Sequence, residues 1–161
     1  MIKKLLASVL GAVLAVSIGA AGAYFTAQVQ VPDSIIRAGE VAISTEPTSA
    51  PLSIDSLAPG TSSVRPLTIV NSGSLPTDIV VTSSKKAGIT DFYESLTCTA
   101  TCGGVQLYSG PFAAMRTSAL RLTPGARSEI RFEVGMPAGA GNDLSEDYVK
   151  VSLYVDAEQA H

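Results

Sequence analysis

Apolar and polar residues alternate over short stretches along most of this chain, and clusters of turn formers separate the stretches. Ala27, Val29 and Val31 alternate with Thr26, Gln28 and Gln30, while Ile130, Phe132 and Val134 alternate with Arg131 and Glu133. A period of two sends successive side chains to opposite faces of a strand, so each stretch predicts a half-buried β-strand. By this rule strands run through Phe25 to Val31, Val41 and Ile43, Leu52 and Ile54, and Leu67 and Ile69. Others run through Ile79 and Val81, Val105 and Leu107, Ile130 to Val134, and Val149, Val151, Leu153 and Val155. No window of about 11 residues carries a helical stripe. Short alternating strands between regular turn signals predict an all-β, two-sheet antiparallel sandwich.

The turns have their own pattern. Leu57-Ala58-Pro59-Gly60 is echoed by Leu122-Thr123-Pro124-Gly125, and a strand follows each, with Leu67 matching Phe132 and Ile69 matching Val134. Pro sets the fixed φ and Gly the positive φ of a type II turn, so both copies predict a turn leading into a core strand. Duplication and convergent turn chemistry explain the echo equally well. Asn71 to Pro76 reads as a hairpin-like loop and Met136 to Asp143 as a long connection. Asp91 to Leu96 suits one helical turn capped by Asp91.

One segment breaks the alternation. Lys3 and Lys4 precede an uncharged apolar run from Leu5 to Gly22, and Ala21 and Ala23 form the small-x-small pattern that signal peptidases cut. Cleavage is expected between Ala23 and Tyr24, giving a signal peptide over 1–23 and a single sandwich domain over 24–161. The alternative is a retained anchor, since Leu5 to Ala23 approaches the roughly 20 apolar residues that span a bilayer. Contact with a membrane is expected only through this segment, and the bulk of the chain is expected outside the cytoplasm.

Charge and chemistry narrow the function. Without Lys3 and Lys4 the 11 basic residues become nine against 14 acidic ones, a formal charge of −5 with no basic run. Nucleic acid and anionic membrane surfaces need a concentrated basic footprint, so neither is an expected partner. His161 is the sole imidazole, and no Ser-His-Asp, Cys-His or H-E-x-x-H arrangement is possible. Glu129 with Glu133, or Glu146 with Asp147, read as solvated surface rather than an acid/base pair. Catalytic residues and cofactors are therefore expected to be absent. Asn142, Asp143, Glu146 and Asp147 are a candidate oxygen set for Ca²⁺, against the plainer reading of a polar loop. Two cysteines in an exported chain favour a disulfide, and Cys98 with Cys102 would staple a local loop.

Several segments together resemble the TasA/camelysin family. They are the Lys-Lys start, the apolar run ending in Gly22-Ala23-Tyr24-Phe25-Thr26, Ala38 to Ile43, Leu57 to Gly60, Asn71 to Pro76, Gly141-Asn142 and Tyr154 to Gln159. The resemblance spans nearly the whole chain and rests on order and spacing rather than on one motif. It implies a jelly-roll domain, processing by a dedicated SipW-like signal peptidase, and secretion to the cell surface. It also implies a role in extracellular fibres or biofilm matrix, with self-association or association with related surface subunits. In such fibres the N-terminal strand of one subunit joins the sheet of the next. Here the candidate donor is Tyr24, Phe25, Ala27, Val29 and Val31, ended by Pro32, which has no N–H to donate. The same residues equally suit an ordinary first strand paired within its own subunit. Some relatives are classed as metallopeptidases, a role these residues do not support. The cysteine loop lies outside the family pattern. The alternative function is a monomeric, adhesin-like secreted binding module that uses the loops around Cys98 and Gly139.

Overall fold

The alternating stretches form two antiparallel sheets packed face to face in a computed structural model, which describes residues 26–31, 41–49, 51–54, 57–140, 144 and 147–161. The strands are β1 (Thr26–Val31), β2 (Ile43–Glu46), β3 (Ser62–Asn71), β4 (Thr77–Gly88), β5 (Thr97–Cys102), β6 (Val105–Pro111), β7 (Leu120–Leu122), β8 (Arg127–Gly135) and β9 (Val149–Gln159). One sheet has the order β1-β9-β4-β7 and the other β2-β3-β8-β5-β6. Leaving aside the short β2, consecutive strands cross between sheets everywhere except at the β5–β6 hairpin, which is the jelly-roll arrangement of two interlocked Greek keys.

The inner faces carry the predicted residues. Val41, Ile43, Leu67, Ile69, Ile79, Val81, Ile130, Phe132, Val134, Leu153 and Val155 are all buried. Each large apolar side chain removed from water contributes about 1.5–3 kcal/mol, so these positions set which face of β2, β3, β4, β8 and β9 turns inward. A short helix, α1 (Thr90–Ser95), and a 3₁₀ turn at Phe112–Ala114 close one end of the sandwich. Tyr93 and Phe112 meet there edge to face at 5.6 Å, and Ser83 Oγ lies 3.0 Å from the Tyr93 hydroxyl while donating to the Phe112 carbonyl.

The Pro-Gly echo is structural. Gly60 and Gly125 have φ of 78° and 75°, and each turn closes with an i to i+3 bond, Thr61 N to Ala58 O and Ala126 N to Thr123 O, both 3.0 Å. Because β3 and β8 are antiparallel neighbours, the turn that enters one strand caps the end of the other. Gly60 N donates to Met136 O and Met136 N to Thr61 O; likewise Gly125 N donates to Asn71 O and Asn71 N to Ala126 O. The two copies thus stand in a local two-fold relation across the β3–β8 ladder.

Several expectations are corrected. Leu52 and Ile54 pack on the core from an irregular segment rather than a strand, since Pro47 and Pro51 both precede the stretch and interrupt ladder donation. Asn71 to Pro76 is not a hairpin but a crossing between sheets, because β3 and β4 belong to different ones. Buried Asn71 holds that crossing: its Nδ2 donates to the Leu75 and Leu122 carbonyls at 2.8 and 3.0 Å, and its Oδ1 accepts from Gly73 N. Asp91 lies inside the first turn of α1 rather than at its cap, and Ile89 occupies the cap with no side-chain bond. Val105 is 64% exposed, because it sits at the hairpin tip beyond a bulge between Ala100 and Thr101.

Candidate assembly edge

Residue alternation makes β1 a strand, and its register makes it an edge. Thr26 to Val31 pair antiparallel with Glu158 to Leu153, and β1 is the terminal strand of its sheet. Ala27 is buried opposite Ala157, while Gln28 faces solvent opposite Asp156. The first strand is therefore paired within its own chain here. Of the candidate donor residues, Ala27, Val29 and Val31 lie in β1, whereas Tyr24 and Phe25 lie outside the described residues, as do Ala21 and Ala23 of the expected cleavage site.

An unpaired strand edge is a template for another chain, and folded proteins usually blunt it. Three of the four edges are blunted. β2 has four residues and runs into Pro47. β7 has three, and the adjoining length of β4 is taken up by Met115 to Thr117, through Ser83 N to Met115 O at 3.3 Å and Thr117 N to Val81 O at 3.0 Å. β6 is bulged, its Leu107 carbonyl accepts from Ser118 N at 2.9 Å, and the Tyr108 ring folds over Gly110 with its hydroxyl on the Pro111 carbonyl. β1 is longer, with six residues, and apart from Pro32, which follows it in the sequence, it has no comparable device among the described residues.

Beside β1, the outer surface of its sheet carries a groove of about 490 Å³ lined by Gln28, Asp78, Val80, Arg116, Asp156 and Glu158, among others. Asp78 receives two bonds from Arg121, at 2.8 and 2.7 Å. Arg121 holds the Asp78 carboxyl below its ordinary range, chiefly through those bonds and against a smaller opposing effect of burial. Asp78 and Glu158 are direct cross-strand neighbours, a like-charge placement that costs stability unless a cation intervenes, as Arg121 does.

The cysteines form no disulfide. Both thiols are free, and both lie on β5, where Cys98 pairs with Val134 and Cys102 with Ile130. Four residues of extended chain separate their Cα atoms by roughly 13 Å, about twice the span a disulfide bridges. The Cys98 thiol, 3.6 Å from Met115 Sδ, is pushed up to about 12 by burial, with a smaller contribution from the Glu133 charge. Glu129 and Glu133 share the outer face of β8, one paired with Arg131 and the other accepting from Ser62 Oγ. Of the candidate calcium set, Asn142, Asp143 and Glu146 lie outside the described residues; Asp147 is described, with its backbone N bonded to Leu144 O. Among the described residues no group of three or more His, Cys, Asp or Glu side chains is placed to hold a metal ion.

No curated protein matches the chain. A solved structure described as "Crystal Structure of FLHE" is 16% identical, with 86% of this chain and 98% of that chain covered at a TM-score of 0.35, too low to carry an argument. The model of the camelysin metallo-endopeptidase family matches residues 1–95, which take in the apolar N-terminal run, β1 to β4 and α1. With more than half of its length matched, the chain belongs to the camelysin metallo-endopeptidase family.

Proposed function

We propose that this chain is an exported, non-enzymatic structural protein of the cell surface, a subunit or accessory component of extracellular fibres or biofilm matrix that assembles through its N-terminal strand. The observation that carries the reading is β1: a terminal strand, it pairs with β9 alone and begins two residues after the expected cut at Ala23-Tyr24, so the same place on β9 can take the first strand of another copy. Backbone bonds of an added strand give affinity, and alternate side chains give register. A SipW-like signal peptidase would then license assembly by releasing the strand. Family membership supports export, and no described helix is long and apolar enough to cross a membrane.

The family name includes a peptidase activity. Our reading departs from it on the donor set, since His161 is the only histidine of the chain. Proteolysis that persists through extensive purification and vanishes with chelator would overturn the non-enzymatic part.

The assembly part is tested by tying β1 to its own sheet. In a Cys98→Ala, Cys102→Ser background, Gln30→Cys with Tyr154→Cys places a thiol pair at one register position of the β1–β9 ladder. Oxidation is expected to abolish fibres by electron microscopy, and reduction to restore them. Fibres from the oxidised chain, or from a chain lacking Tyr24 to Val31, would sink strand assembly. A chain that remains monomeric at every concentration would fit a binding module instead.

A further inference from the structure

We propose that the outer face of the four-stranded sheet docks a second copy of this chain, the lysine pair Lys86 and Lys150 of one copy seating in the acidic groove at Asp156 and Glu158 of the next. On β9, Leu153, Val155 and Ala157 face the core, so Lys150, Tyr154, Asp156 and Glu158 face outward. The register sets Asp78 of β4 beside Glu158 at one end of this face. At the other end the β4 ladder shifts between Lys85 and Ala87, so that Lys86 and Ala87 together oppose Lys150, and both lysines are exposed. Between the ends, Val80, Thr82 and Tyr154 are uncharged, and exposed Arg116, bridged to Thr82, lies beside them. A single face is thus acidic at one end and basic at the other.

Distance keeps the two ends from satisfying each other. Eight residues of β9 separate Glu158 from Lys150, roughly 26 Å at about 3.3 Å per residue. That exceeds twice the Debye length of about 10 Å at 0.1 M salt, so within one molecule the charges are screened from one another. The acidic end is concave, the 490 Å³ groove, whereas the lysines project. Asp78 is already engaged by Arg121, so the remaining groove charge is that of Asp156 and Glu158 against Arg116, and it stays negative. The opposite sheet offers no such separation: Glu46 pairs with Arg127, Glu129 with Arg131, and Glu133 with Ser62.

The contact is head to tail. A flush two-fold pairing of these faces would need the whole length of β9 open, yet Ser152, on the outward side of the strand near its lysine end, is only 1% exposed and so already covered within its own chain. Overlap of opposite ends avoids that point, and such a heterologous contact repeats from copy to copy into a ring or an open filament. The partner's identity rests on the self-assembly reading, but the contact is separate from strand exchange. Fibre loss on locking β1 reads the exchange, and salt-dependent association reads this surface.

The test is sedimentation velocity on the full processed chain at low and high salt, with folding of each variant checked by circular dichroism. Wild type is expected to associate at low salt and to dissociate as salt rises. Lys86→Glu with Lys150→Glu, and separately Asp156→Lys with Glu158→Lys, are each expected to weaken association by roughly tenfold or more. An equimolar mixture of the two folded variants is expected to restore it. Association that ignores salt, variants that associate like wild type, or a mixture that fails to recover would each overturn the proposal.

Discussion

Gly88 shows how a single residue settles a packing problem that alternation leaves open. Its φ is +98°, and a Cβ built there would stand 2.3 Å from the Tyr148 carbonyl oxygen and 2.8 Å from the Val149 Cα, both backbone atoms that cannot swing aside. The close approach lets Ile89 N donate to Tyr148 O at 3.0 Å where β4 ends and β9 begins. Gly88→Ala should therefore cost about 2–4 kcal/mol in urea unfolding, since strain and displaced backbone add. Gly103→Ala, at φ +55° with nothing within 4 Å, should cost only about 1 kcal/mol. Equal losses at the two sites would refute the steric account. In the sequence both residues are simply glycines near turns. The difference lies in what approaches them.

Among the elements, β5 is where residue chemistry misled the sequence reading. Thr97, Thr99 and Thr101 alternate with Cys98, Ala100 and Cys102, a sound strand pattern hidden because its inward residues are small and two of them invited a covalent reading. The strand is fully paired on both sides, by β6 and β8. Its thiols should behave independently. In the native protein Cys102, part exposed beside the hairpin tip, should be alkylated by iodoacetamide, while buried Cys98 should react only after unfolding. Intact mass should show two free thiols, and a mass lower by two hydrogens would restore the staple. By contrast, β8 and β9 were legible from alternation alone, because large aliphatic and aromatic residues mark their inner faces. β7 escaped notice because three residues hold too little pattern to read.

At the scale of the whole molecule, stability should depend on pH more at the alkaline side than at the acid side. The Cys98 thiol is raised from 9.0 to about 12, first by burial and then by Glu133, so its neutral form is favoured in the fold. A raised group contributes stability that is full below its unfolded value and is lost as pH rises towards the folded one. The urea midpoint should therefore fall between about pH 9 and 12, and Cys98→Ala should flatten part of that limb. Tyr108, raised by burial and then by the Cys98 charge, contributes in the same direction. Asp78 is depressed, so its contribution is present above its unfolded value and disappears as pH falls below it. Its pair with Arg121 is largely exposed and screened, so Asp78→Asn should hardly move the acid limb. An alkaline limb unchanged by Cys98→Ala would reject the burial argument.

The sequence by itself determined the class of fold, the facing of most strands, both Pro-Gly turns and the expectation of export. These follow from local chemistry: period two, the φ preferences of Pro and Gly, and an apolar leader. Only the tertiary structure decided that Asn71 to Pro76 joins two sheets, that Cys98 and Cys102 stand too far apart to bond, and that β1 borders its sheet against β9. It also decided that acidic and lysine side chains far apart in sequence share one face. Strand order, register and distance arise from pairing between remote segments. Alternation says which way a side chain points, but not which strand will lie beside it.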